Sequence, residues 1–232
     1  MAQLSFEQFE NFFKYYKGQS HQQSGIKKLF EQMRDVLKDE DHAWITEYRT
    51  PQERNEGISL PVPYQSQRDN ASGTGYRECF SSSCAMVAMY YGKIANDDDY
   101  NLVRQKYGDS TDSMAQVRAL RSLGLEANFI SNATTADLTE ALKEGRPIPV
   151  GWLHYGPHTA PTGGGHWSVI IGEMNDCWLH NDPWGSANLT DGNYIGEAGA
   201  GRFYNKSLWN PRWIVEGEGS GWMIDVRDPA KK

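Results

Sequence analysis

Apolar residues recur every three to four positions in some stretches of the chain and every second position in others, and these two spacings divide it. Phe6, Phe9, Phe12 or Phe13 and Tyr16 follow the helical period behind Ser5 and Gln8, which together form a capping-box pattern, and this helix ends near Gly18. Ser20 with Gln23 opens a second helix carrying Ile26, Phe30, Met33 and Leu37. The aromatic stripe on the first helix is read as its packing face against the second. From Lys38 to Gly57 the chain turns charged, passes a Thr50-Pro51 step and loses all periodicity. Residues 1–57 are therefore expected to be a helical hairpin and linker, and residues 58–232 the main domain.

The main domain opens with SLPVPYQSQRDN, a short apolar strand running into a polar loop. Helices are expected from Phe80 to Tyr91, from Asp97 to Tyr107 and from Asp112 to Leu123, stopped by Gly92 and Gly124 where a stop is marked. Asp97, Asp98 and Asp99 suit a helix start, where carboxylates complement the dipole. LEANFIS reads as a strand, TTADLTEALKEG as a helix and PIPVGWL as a strand. HWSVIIGEM and CWLHN flank Asn175-Asp176 as two strands about a hairpin turn, and GWMIDV is a late strand. Helices first and an antiparallel sheet second make the fold class α+β.

Composition narrows the partners. The 232 residues, 38% of them hydrophobic, with 8 Trp and 12 Tyr, are enough for a packed core. A net charge of -7 argues against sequence-independent nucleic-acid binding, which relies on Lys and Arg neutralising phosphates. No apolar run approaches the roughly 20 residues of a membrane span, and the N-terminus lacks a basic start and apolar core, so a cytoplasmic location is expected. Three cysteines fit a reducing compartment, with Cys84 and Cys177 as core residues.

Cys79 is different, because it stands where a glycine-containing polar loop meets a helix start, and free backbone N–H groups there favour a thiolate. His166 follows Gly163-Gly164-Gly165 and opens an apolar strand, which would hold an imidazole base on a rigid element. Asp182 closes the next strand and could orient the ring. With a two-residue turn, however, Met174 faces Cys177, and counting back in twos puts His166 on the face of the odd residues, which favours Asn181. A longer turn or a bulge would favour Asp182 instead. Gln67 offers a side-chain amide that, with the backbone N–H of Cys79, could hold an oxyanion. His154 and His158 have zinc-motif spacing, but Gly156 and Pro157 between them break the helix such a motif needs, and neither metal nor cofactor is expected.

Three blocks, VPYQSQRDN, ECFSSSCAMVAMYYG and GHWSVIIGEMNDCWLHNDPWG, together resemble the bacteriocin-leader-processing cysteine peptidases, the thirty-ninth cysteine-peptidase family, and their stand-alone relatives. The resemblance spans Ser59 to Gly185 and implies a papain-like fold, with Gln67, Cys79, His166 and Asp182 as the site. Phe80-Ser81 replaces the Gly-Pro usual after the cysteine. The tail from Asn205 to Val226 resembles the endings of bacteriophage lytic proteins. The resemblance thus implies an endolysin that cuts peptidoglycan stem peptides, made in the host cytoplasm and released through a separate pore protein. A soluble leader- or protein-processing peptidase is the alternative within the class. A zinc-dependent wall amidase and a non-catalytic wall-binding protein are the alternatives outside it.

Overall fold

The chain divides into two compact units, Met1–Asn55 and Glu56–Lys232. The structure, a computed structural model, describes residues 57–231. The helical hairpin expected within residues 1–57 lies outside the described residues.

The described unit is organised around helix α1, Cys79–Tyr90. Its sequence, CFSSSCAMVAMY, has no Gly or Pro to break it, and Gly92 with φ +69° turns the chain away after it. Every residue from Phe80 to Ala88 is buried, so the helix has no solvent face and is enclosed on all sides. Two of its three serines are paired, since Ser82 donates to Asp97 at 2.6 Å and Gln116 donates to Ser81 at 3.0 Å, whereas the buried Ser83 hydroxyl has no hydrogen-bond partner among the described residues. Helices α2 (Asp97–Arg104) and α3 (Ser113–Ser122) pack beside it. Asn96 and Asp112 cap them through their side chains. The expected second helix stops short of Tyr107 because Arg104 donates to the Gly108 carbonyl and the intervening residues form a turn.

Strand β1 is only Ile58–Ser59, since Pro61 and Pro63 beyond it lack the N–H groups a ladder requires. Strand β2 (Glu126–Ala133), helix α4 (Thr135–Lys143) and strands β3 (Ile148–Trp152), β4 (His166–Met174) and β5 (Cys177–Asn181) follow the periodic pattern. The pattern did not mark strands β6 (Ser186–Asn188), β7 (Asn193–Gly196) and β8 (Arg202–Asn205), nor helix α5 (Lys206–Trp213). Pro211 lies inside α5, and a proline there reads as a breaker. Strand β9 (Gly221–Arg227) enters the middle of the sheet, whose order is β2-β9-β3-β4-β5-β8 with β1 also paired to β4. All these pairings are antiparallel.

The sheet separates two cores. Val169, Ile171, Leu179, Ile224 and Val226 face α1, whereas Ile148, Val150, Ile170, Trp178 and Met223 share the second core with residues of α4 and α5. Between β4 and β5 the turn does have two residues, with Asn175 at φ +51°, and Met174 pairs with Cys177. The register then shifts at Ile171: Gly172 pairs with Leu179, but Ile170 pairs with His180. This bulge returns His166 to the face of the even-numbered residues that follow β5.

Candidate active site

Cys79 is the first residue of α1, half-exposed, with no side-chain cap at Glu78 to occupy the free N–H groups of the first turn. Glu78 is itself buried and turned inward. Asn70, Ser72, Thr74 and Asn101 donate to its carboxylate at 2.7, 2.8, 2.7 and 3.3 Å, and Arg104 stands 3.9 Å away. Burial works against ionisation, but these donors and Arg104 outweigh it and hold the carboxyl below its ordinary value. The loop that delivers Cys79 is thereby tied down from residue 70 to residue 78.

His166, at the start of β4, is buried at 4% exposure. Its Nε2 lies 2.8 Å from Oδ1 of Asp182, and the Cys79 side chain is near enough to the ring to help raise its pKa. Since Nε2 is engaged by the carboxylate, Nδ1 is the nitrogen left for sulfur. Burial disfavours a charged ring, but the Asp182 carboxylate, the bond to it and the Cys79 side chain override it and push the pKa up to about 10. Trp152 meets the ring edge-on at 5.3 Å, Tyr194 does so at 5.7 Å, and His154 lies 5.5 Å away, so the imidazole is walled by aromatic groups.

Asp182 is completely buried. Oδ1 also accepts the Trp184 N–H at 3.0 Å, and Oδ2 accepts the Tyr204 hydroxyl at 2.8 Å. Its backbone is pinned as well, by its N–H to the Gly199 carbonyl and by the Tyr64 hydroxyl to its own carbonyl. Asn181 points to the other face, donating to the Val62 carbonyl and accepting from the Gly201 N–H, both at 3.0 Å. The carboxylate at the ring is therefore that of Asp182. The sequence count that pointed to Asn181 lacked the bulge at Ile171.

Gln67 lies on a short 3-10 turn, Gln67–Asp69, and is buried. Its N–H bonds the Pro183 carbonyl at 3.0 Å, which straps this loop to the segment holding Asp182. Its side-chain Nε2 donates to the Gly75 carbonyl at 2.6 Å, leaving one amide hydrogen uncommitted. The other histidines have different surroundings. His180 accepts or donates at Ser168 at 3.0 Å, and burial lowers its pKa to about 3. Burial and the charge of His166 lower His154 to about 4. Among the described residues no three His, Cys, Asp or Glu side chains are grouped to hold a metal ion.

The thiol opens on a cleft of about 470 Å³. Phe80 and Trp167 stack in its wall with ring centroids 3.5 Å apart, and the half-exposed Trp222 forms part of its lip. Gly164 and Gly165 form the side next to His166. The stack depends on Gly151, where an added Cβ would lie 2.8 Å from the Trp167 ring. Behind the cleft the buried Arg212 gives its N–H groups to the carbonyls of Leu153, Tyr155, Gly156 and Leu189, fixing the loop that leads to His166.

A cysteine at a helix start, an imidazole on the facing sheet and a carboxylate behind the imidazole are the arrangement expected of a thiol peptidase. Residues 56–193 match the family model of the papain-like cysteine protease AvrRpt2. The chain belongs to that family. It is a papain-like cysteine peptidase, and its mixture of helices and antiparallel sheet is the papain-like fold. None of the curated proteins compared matches the chain.

Solved structures similar to the peptidase include a double-glycine-motif protease from an AMS/PCAT transporter in complex with its leader peptide. That structure is 17% identical, with a TM-score of 0.49 over 74% of this chain and 94% of the other. The peptidase domain of Streptococcus ComA, a bifunctional ABC transporter of a quorum-sensing pathway, is 19% identical, with a TM-score of 0.45 over 65% and 91%. A protein from Bacillus anthracis described as a C39-like peptidase is 15% identical, with a TM-score of 0.48 over 75% and 98%.

Sequence reasoning missed Tyr204, Glu78 and Arg212. Tyr204 and Arg212 stand outside the three blocks that carry the resemblance, Glu78 opens one of them, and a buried Arg or Glu leaves no periodic trace. Trp184 and Tyr64 were within reach, since both lie in the blocks that carry the family resemblance.

Proposed function

We propose that the peptidase hydrolyses peptide amide bonds through a Cys79–His166–Asp182 triad. The observation that carries this reading is the His166 ring, which bonds the buried Asp182 at 2.8 Å and has the Cys79 side chain among the neighbours that raise its pKa. The ring takes the thiol proton, and the sulfur attacks the scissile carbonyl carbon. The Cys79 N–H at the helix start and the uncommitted amide hydrogen of Gln67 hold the oxyanion. His166 then gives its proton to the departing amine, and a water molecule, deprotonated by the same ring, releases the acyl group and restores the thiol. Asp182 keeps Nε2 protonated and the ring in its plane.

The substrate is a peptide or peptide-bearing polymer that lays an apolar or aromatic side chain in the cleft. The sequence resemblance favours peptidoglycan stem peptides cut by an endolysin. Membership of a cysteine protease family favours a protein substrate as the second reading. Cys79→Ala is expected to abolish turnover of a fluorogenic peptide while leaving the melting temperature near that of the wild type. Full activity in a folded Cys79→Ala would end the proposal. Zymography on purified cell walls separates the substrates: clearing supports the endolysin reading, and cleavage of proteins without clearing supports the second.

A further inference from the structure

Among the described residues the Asp182 carboxylate has three hydrogen-bond partners, and only His166 belongs to the chemistry proposed above. Trp184 N–H and His166 Nε2 share Oδ1, while among the described residues Oδ2 is held by Tyr204 alone. Tyr204 lies on β8, opposite Trp178 of β5, and reaches past the end of β5 to the carboxylate. Its side chain is completely buried. The ring is fixed by Trp152, 5.9 Å away and edge-on, and by His180 at 4.7 Å. The hydroxyl accepts the Ala187 N–H at 3.1 Å, which uses a lone pair and leaves its proton for Oδ2 at 2.8 Å. Burial and the neighbouring Asp182 charge raise the phenol well above its ordinary value, so it remains a donor wherever the enzyme works.

We propose that Tyr204 is a positioning residue of this site: its hydroxyl fixes the rotation of the Asp182 carboxylate and restrains the pull of that carboxylate on the His166 proton. The proposal rests on Asp182 orienting His166. A carboxylate with one donor fewer holds its charge on the oxygen that faces the ring, so removing the hydroxyl makes His166 more basic and loosens its aim. A tyrosine that merely fills space would do neither, because phenylalanine fills nearly the same space.

The experiment measures the His166 ring pKa by NMR in Cys79→Ala protein, where the thiol no longer contributes, and kcat and KM in protein that retains Cys79. Tyr204→Phe is expected to raise the ring pKa by about 0.5 or more. It is also expected to lower kcat about tenfold with KM little changed. A folded Tyr204→Phe with unchanged ring pKa and kcat overturns the proposal. Asp182→Asn in the same background separates the two readings: it is expected to lower the ring pKa, and no change there means that Asp182 does not govern His166. Should Tyr204→Phe not fold, 3-fluorotyrosine at position 204 retains ring and hydroxyl and donates more strongly. It is expected to lower the ring pKa, and no movement overturns the proposal.

Discussion

At the scale of single residues, the site is a question of where one proton resides. The His166 ring has an ordinary value of 6.5 and is pushed up to about 10, so folding favours its protonated form. Its contribution to stability is therefore complete below pH 6.5 and is lost as the pH rises through about 10. The same proton serves the leaving amine in the proposed mechanism, so kcat/KM is expected to hold through neutrality and fall on the alkaline side, toward pH 10. Asp182→Asn removes the carboxylate charge, the main influence raising the ring pKa, and should move this limb acidward by about one to three pH units. A pH profile of kcat/KM on a fluorogenic peptide measures the shift, and an unmoved limb would detach Asp182 from His166. Asn181 makes an instructive contrast. Both of its hydrogen-bonding ends meet backbone groups on the face opposite the ring, so it holds strand β5 in place and is turned away from the imidazole.

At the scale of elements, the separation between Asp182 and its surroundings is set by close backbone approach. An added Cβ at Gly199 would lie 1.8 Å from the Asp182 carbonyl oxygen and 2.8 Å from the Tyr64 hydroxyl. Gly199→Ala is expected to displace the carboxylate, lowering kcat by about ten- to a hundredfold and stability by about 1–3 kcal/mol. Gly196→Ala, where nothing lies within 4 Å of the added atom, is the matched control. Equal kcat in the two variants would show that the Gly199 contact does not set the position of Asp182. Most elements here were legible from spacing alone: α1, α3, β3 and the β4–β5 turn lie within a residue or two of where periodicity puts them. The bulge at Ile171 was not, because a single unpaired residue leaves the apolar alternation on either side intact. That one residue is what decided which side chain reaches the ring. Strands β6 to β8 escaped because they are short and mostly polar, and α5 because of Pro211.

At the scale of the whole molecule, both cores flanking the sheet, as far as the described residues form them, are drawn from residues 58–226, and the described residues that line the cleft lie in the same span. Residues 56–232 produced alone are expected to melt cooperatively and to turn over a fluorogenic peptide as the full chain does. A fragment that melts without cooperativity would show that the first unit is needed for folding. Position in sequence and position in space diverge most at β9, which lies between β2 and β3 although it is made long after both. Until residue 227 has been synthesised, β2 has no partner within this sheet, and β3, next to the strand that begins with His166, lacks one of its two neighbours. A ribosome-bound chain carrying Cys79, His166 and Asp182 would thus hold the whole proposed triad yet no finished cleft, and proteolytic power is expected to reach the producing cell only after translation has passed β9.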